Sequence, residues 1–127
     1  MKITSAIARI LLGLMFVVFG LNGFLWFMKA PPMTGPVQLF MEAANTSHFV
    51  WFYCGVQVIA GAMFLFNRYV PLAIVVTAAV IANILAFHIT MFLVGIPPGI
   101  LVAILWFLVA WPFRAHFAPL LVARTSE

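Results

Sequence analysis

The chain has 127 residues, of which 67% are hydrophobic and only 6% charged, and its mean hydropathy is +1.25. A soluble domain is about half apolar and about a quarter charged, and a small one leaves much of its surface exposed, so a water-soluble globular fold is excluded. The net charge of +4 comes from six scattered Lys and Arg residues. They form no basic face, so nucleic-acid binding is excluded as well.

Four apolar runs follow one another along the chain, at residues 3–28, 49–66, 70–94 and 99–117. Each is near the ~20 residues that cross a hydrocarbon core. Lipid admits only helices or closed barrels, and no alternating barrel pattern is present. The sequence therefore predicts an all-α, integral membrane four-helix bundle. A cleaved signal peptide is the competing interpretation of the first run, but Arg9 interrupts it and no small-x-small cleavage site follows.

The segments between the runs carry turn residues. The predicted outer loop, 29–48, opens with the proline-rich stretch 30–36, which ends the first helix. Within this loop, 37–44 fits a short helix lying at the membrane interface. Residues 67–69 and 95–99 form two further short turns.

The distribution of basic residues predicts the orientation. With four helices both termini lie on one side of the membrane, and that side holds every Lys and Arg except Lys29. Positive residues collect on the cytoplasmic side, so both termini are predicted to be cytoplasmic.

Polar groups inside the apolar runs are the candidates for function, because an unpaired one costs several kcal/mol in hydrocarbon. Gln57 and Asn83 lie near the middle of neighbouring antiparallel helices, which predicts a hydrogen bond between them. Two interpretations are open. Either the two side chains only hold the helices together, or they form a polar patch that binds a ligand head group. His88 is a further candidate because imidazole exchanges protons near neutral pH, against the alternative of a hydrogen-bonded core residue.

Three other polar residues lie towards the ends of helices. Asn22 is a further candidate for ligand binding, and the alternative is that it satisfies backbone groups beside Gly20 and Gly23. Arg9 and Arg114 lie close to the cytoplasmic boundary, where each is able to reach lipid phosphates. Alternatively, the two hold one anionic group between the first and fourth helices.

Small residues recur at helical spacing and predict close packing between helices. They are Gly13 and Gly20 on the first helix, Cys54 and Gly61 on the second, and Ala78, Ala82 and Ala86 on the third.

The sequence lacks the residue patterns of catalysis and metal binding. There is no phosphate-binding loop, no Ser/His/Asp arrangement and no carboxylate pair, since Glu42 is in a loop and Glu127 is the last residue. Cys54 is the only cysteine, and His48 and His116 are predicted at opposite membrane faces. No catalytic residue, metal site or autonomous enzyme is predicted.

The order of several motifs resembles that of DoxX-like membrane proteins. The resemblance begins with Ala8-Arg9-Ile10-Leu11-Leu12-Gly13-Leu14 and covers nearly the whole chain. Its further segments are 19–24, 31–33, 55–61, 67–73, 83–88, 95–97 and 111–114.

The resemblance implies a small four-helix protein of the bacterial inner membrane. Some DoxX-like proteins are linked to quinone-coupled oxidation of sulfur compounds or to membrane complexes that resist oxidative stress. Its recurring polar positions correspond here to Arg9, Asn22, Gln57, Asn83, His88 and Arg114. One departure is Gln57, where related sequences often have glutamate, and its amide supplies no acid or base.

These observations predict an accessory subunit of a membrane redox system that binds a quinone or another apolar ligand in a cavity lined by Gln57, Asn83 and His88. Its partners are then the bilayer and either a membrane redox protein or further copies of the chain. The alternative is a non-catalytic scaffold or assembly factor. A small-solute transporter is a third, less favoured hypothesis, because four helices scarcely enclose a pathway.

Overall fold

The computed structural model describes residues 2–126, and this part of the chain is helical, with no strand. Five helices of more than one turn are α1 (Lys2–Leu25), α2 (Pro36–Thr46), α3 (Phe49–Leu65), α4 (Val70–Met91) and α5 (Ile96–Ala110). A 3-10 turn at Leu93–Gly95 precedes α5. The turn Trp111–Phe113, the short α6 (Arg114–Phe117) and the turn Ala118–Leu121 follow it.

Three stretches are long and apolar enough to cross a membrane: Lys2–Leu25, Val70–Met91 and Leu93–Leu121. The helix α3 has 17 residues and qualifies only together with α2, from which it is bent by 84°. The number of candidate spans is therefore three, or four if this bent pair counts as one. Such a set is compatible with a multi-pass membrane protein.

Helix ends differ from the predicted ones by a few residues. The first helix ends at Leu25 rather than at 28, because Trp26 takes a left-handed conformation with φ 54°. The last begins at Ile96 rather than at 99, since Pro97 and Pro98 occupy a first turn whose backbone donors have no intrahelical acceptor. Beyond Ala110 the helical path continues through the turn that holds Pro112, the short α6 and the turn Ala118–Leu121, so that Leu93–Leu121 forms one long stretch.

The predicted outer loop contains a helix, α2, close to the segment expected from the sequence. Val37 and Ala44 are its buried residues. On its exposed side, the Gln38 amide donates to the Glu42 carboxylate over 3.1 Å. The ring centroids of Phe40 and Phe87 are 5.3 Å apart, so α2 also touches α4.

The helices α1, α3, α4 and α5 surround a common interior. The helix α1 lies against α3 and α5, and α4 lies against the same two. Short connections make α3, α4 and α5 successively antiparallel. The helix α1 is antiparallel to α3, because Gly13 lies beside Gly61 whereas Gly20 lies beside Cys54.

Glycines bring the backbones of α1 and α3 into contact, as the sequence predicts. A Cβ atom on Gly61 would lie 2.9 Å from the Gly13 carbonyl oxygen, and one on Gly13 would lie 3.0 Å from that of Gly61. A Cβ on Gly20 would lie 2.9 Å from the Cys54 carbonyl oxygen. The corresponding prediction for α4 is wrong. Its alanines are exposed rather than closely packed: Ala78, Ala82 and Ala86.

The best-packed part of the interior lies where α1 and α4 begin and where α3 and α5 end. Leu12, Phe64 and Val109 are fully buried there, and the Phe16 and Phe64 rings stack with centroids 6.5 Å apart. Thr77, also fully buried, donates its hydroxyl to the Ala73 carbonyl over 2.7 Å. The polar group therefore has a partner within its own helix.

Candidate ligand-binding cleft

A cleft of about 300 Å³ lies between α1, α3, α4 and α5, away from the packed end of the helices. It is partly open, and most of its walls are apolar. Two polar side chains, Gln57 of α3 and His88 of α4, take part in its lining. The complete lining is Met15, Phe16, Phe19, Gln57, Ile84, His88, Gly95, Pro98, Gly99 and Val102.

His88 is held by the turn between α4 and α5. The helix α4 ends at Met91, and the Phe92 carbonyl oxygen lies 3.1 Å from the imidazole Nδ1. A carbonyl oxygen only accepts, so Nδ1 donates in this hydrogen bond. The bond fixes one edge of the ring against the backbone.

Two glycines make room for this imidazole. A Cβ atom on Gly95 would lie 2.7 Å from His88 Cε1, which is shorter than a van der Waals contact permits. A Cβ on Gly99 would lie 3.8 Å from His88 Cδ2, in ordinary contact. A side chain at position 95 would therefore displace the ring from its present position.

Gln57 faces the cleft from α3, a neighbour of the helix that carries His88. Its side chain is half-buried, and within residues 2–126 it forms no hydrogen bond that meets normal geometry. A primary amide offers two donors and one acceptor oxygen. The cleft thus combines mostly apolar walls with an unpaired amide and a histidine among its lining residues.

Asn83 does not belong to this cleft, so the predicted lining is wrong at this position. Its side chain is exposed, and Nδ2 donates to the Ala79 carbonyl of its own helix over 3.1 Å. The predicted hydrogen bond between Gln57 and Asn83 is not formed. The reason is the rotation of α4 about its axis. This helix turns Ile81, Ile84 and Leu85 toward the core between the helices, so Asn83 points outward with its neighbour Ala82.

Asn22 closes the end of α1. Its Oδ1 accepts the Met28 backbone N–H over 2.8 Å, beyond the point where the helix stops at Leu25. This agrees with the structural interpretation, in which Asn22 satisfies a freed backbone group. Asn22 does not line the cleft.

The two arginines make separate contacts. The Arg9 guanidinium donates to the Phe64 carbonyl oxygen in the last turn of α3, where a cation also opposes the negative end of the helix dipole. Arg114 donates to the Trp111 carbonyl over 3.0 Å and lies 4.8 Å from the centroid of the Trp111 ring. No contact in the described chain joins the two, so a shared anion site stays a prediction.

Sequence reasoning missed Trp106, Gly95 and Gly99. The Trp106 indole donates to the Ile74 carbonyl over 3.0 Å and so links α5 to α4. A tryptophan deep in an apolar run was the available signal, because its N–H needs a partner in lipid. The role of the glycines depends on the position of His88 in space, which spacing along the chain does not give.

Metal binding finds no support in the part of the chain that the structure describes, where no three His, Cys, Asp or Glu residues come together. Comparison of the chain with models of protein families, with curated proteins and with solved structures found no match. The cleft, with mostly apolar walls and two polar lining side chains, suits an apolar molecule with a small polar head group.

Proposed function

We propose that this chain is a DoxX-like protein of the bacterial inner membrane, whose helices α1, α3, α4 and α5 cross the bilayer as a four-helix bundle. The outward faces of the helices support this proposal, because large apolar side chains are exposed along them. Examples on α5 are Leu101, Ile104 and Phe107, each about half exposed or more. Both termini then lie in the cytoplasm, with all but one of the basic residues.

Cysteine accessibility tests this orientation. In a Cys54→Ala background, Asn67→Cys and Ser47→Cys place single thiols at two exposed turns on opposite sides of the proposed bundle. A membrane-impermeant maleimide added to intact cells should label the Ser47→Cys variant and leave the Asn67→Cys variant unlabelled until the cells are opened. The reverse result would contradict the orientation.

The proposed function is that of an accessory subunit of a membrane redox system, which holds a quinone or a similar apolar ligand in the cleft. The observation that carries it is the cleft itself, which has mostly apolar walls and two polar lining side chains, Gln57 and His88. Unpaired polar groups cost several kcal/mol in hydrocarbon, so a ligand that pairs with them is stabilised. Since the amide of Gln57 takes no part in proton transfer, binding suits the site better than catalysis, and redox chemistry belongs to a partner protein.

Ligand binding by variants tests this function. The protein in detergent micelles is titrated with a decyl-substituted benzoquinone, supplied oxidised and, separately, reduced. Gln57→Leu and His88→Phe keep the approximate size of the side chains and should weaken binding of at least one form about tenfold, as loss of a buried hydrogen bond does. Asn83→Leu, on the outward face of α4, is the matched control. Equal binding by all three variants would show that the cleft is not the site.

A scaffold or assembly factor is the second candidate. It is favoured by a specific observation: three polar side chains bond to backbone groups. Arg9 links α1 to α3, Trp106 links α5 to α4, and Asn22 closes the end of α1. Under this hypothesis the Gln57 and His88 variants lower the abundance of the protein or of its partner complex and leave ligand binding unaffected. Solute flux in proteoliposomes that contain only this chain would instead support a transporter.

A further inference from the structure

The hydrogen bond between His88 and Phe92 determines which ring nitrogen remains available. Nδ1 donates to the Phe92 carbonyl oxygen. A neutral imidazole carries one hydrogen only, so its Nε2 is then an acceptor without a hydrogen. Rotating the ring by half a turn would move Nδ1 away from the Phe92 carbonyl and so break this hydrogen bond.

The surroundings of the ring hold it in this state. The Phe92 carbonyl also accepts the Gly95 backbone N–H over 3.1 Å, which ties the turn together. The Nδ1 and Cε1 atoms lie against Gly95, where a Cβ atom would be only 2.9 and 2.7 Å from them. The Phe92 edge of the ring is therefore filled by backbone.

The Nε2 atom has no hydrogen-bond donor in the part of the chain that the structure describes. Among residues 2–126, the only fully buried side-chain polar atom without a hydrogen-bond partner is the Asn45 Oδ1. The unpaired Nε2 of His88 is therefore not fully buried. His88 lines the cleft, and its Cδ2, the ring carbon bonded to Nε2, lies toward Gly99, another lining residue. Gln57, the other polar lining residue, both donates and accepts.

We infer that the cleft selects a ligand whose head group donates a hydrogen bond, a phenol or hydroquinone with an apolar tail, over the corresponding ether or quinone. The inference rests on the proposed function of the cleft. A hydroxyl pairs with Nε2, whereas an ether or carbonyl oxygen would face it with lone pair against lone pair. An acceptor left unpaired in an apolar site lowers affinity. Within a redox pair, the cleft then retains the reduced form.

A matched pair of probes tests this preference. In 4-decylanisole a methyl group replaces the phenolic hydrogen of 4-decylphenol, and the two share the same ring and tail. Binding is measured by calorimetric titration in detergent micelles at about pH 8. Only binding that saturates at one probe per protein is counted. We expect the phenol to bind about tenfold more tightly. His88→Phe should abolish the difference, and Asn83→Leu should preserve it.

A second measurement reads the histidine itself. In a His48→Gln, His116→Gln background, nitrogen-15 labelling of histidine leaves one imidazole to observe by NMR. Its Nδ1 should carry the hydrogen and its Nε2 should not, and 4-decylphenol but not 4-decylanisole should shift the Nε2 resonance. This readout does not depend on the folding of a His88 variant.

The outcomes separate the inference from the proposed function. Equal, saturable binding of both probes, or a preference that survives in His88→Phe, would overturn the hydroxyl selectivity and leave the cleft as a binding site. Hydrogen on Nε2 of the ligand-free protein would overturn the selectivity as well. If neither probe binds saturably while the decyl benzoquinone does, the inference alone fails; if none of the three binds, the proposed function fails with it.

Discussion

The two ends of the helix assembly are built in opposite ways. At the end where α1 and α4 begin, Leu12, Phe64 and Val109 are fully buried, and Arg9 ties α1 to the last turn of α3. At the other end the same helices leave a cleft of about 300 Å³, with Gln57 and His88 in its wall. One end is filled by side chains and the other has space for a ligand, so stability and binding should respond to different substitutions.

The largest expected difference between the ends comes from phenylalanine truncation. Phe64→Ala removes a fully buried ring, and we expect it to lower the free energy of unfolding by ~3–5 kcal/mol. Phe19→Ala, at the partly open cleft, should lower it by less, because Phe19 is already 44% exposed. Reversible unfolding in mixed micelles measures both, and equal losses would mean that the two ends are packed alike.

The glycine contact between α1 and α3 gives the next largest effect. A methyl group at Gly61 would lie 2.8 Å from Val17 Cγ2 and 2.9 Å from the Gly13 oxygen, so Gly61→Ala should destabilise by ~1–3 kcal/mol through overpacking. Gly55→Ala on the same helix is the control, since the nearest atom to its Cβ is 4.0 Å away. Thermal unfolding of the two variants should separate them clearly. A Gly61→Ala protein as stable as the control would show that the helices are farther apart.

The hydrogen bond from Trp106 to Ile74 should contribute less. Trp106→Phe removes the indole donor that links α5 to α4, and interhelical hydrogen bonds in membranes are worth ~0.6–1.7 kcal/mol. We expect a loss in that range. Trp111→Phe, at a side chain that is 58% exposed, should change the unfolding free energy less. If both substitutions lower the unfolding free energy equally, the Trp106 hydrogen bond does not stabilise the protein.

The smallest effect is expected for Asn83. Its side chain is exposed and bonded only to its own helix, so Asn83→Leu should change the unfolding free energy of the solubilised protein by no more than about 0.5 kcal/mol. Chemical denaturation measures this directly. A loss above about 1 kcal/mol would mean that Asn83 has a partner, and it would then no longer serve as a neutral control for ligand binding.

Much of the helical architecture follows from the sequence because it is set by local rules. Apolar length, proline position and glycine spacing predict the helices, the turns and close packing at Gly13, Gly20 and Gly61. The rotation of α4 is not set in this way. Its composition is so uniformly apolar that Asn83 and the alanines fit either an inward or an outward face, and the structure turns them outward.

The candidate site shows the same limit. The sequence identifies Gln57 and His88 because polar residues are rare in its apolar runs. It does not reveal Gly95 and Gly99 as neighbours of the imidazole, since these contacts depend on how the turn after α4 folds back. It also allows Asn22 and Arg9 to be functional, whereas in the structure both bond to backbone atoms.

The short third helix has a consequence for the surrounding lipid. With 17 residues at about 1.5 Å each, α3 is about 25 Å long, whereas a typical hydrocarbon core is about 30 Å thick. With α3 as the fourth span, the bilayer thins beside it, or α2, bent by 84° from it, is drawn below the head groups. Hydrophobic mismatch of this kind favours thin membranes, and lengthening the acyl chains of a reconstituting lipid should strain this side of the protein first.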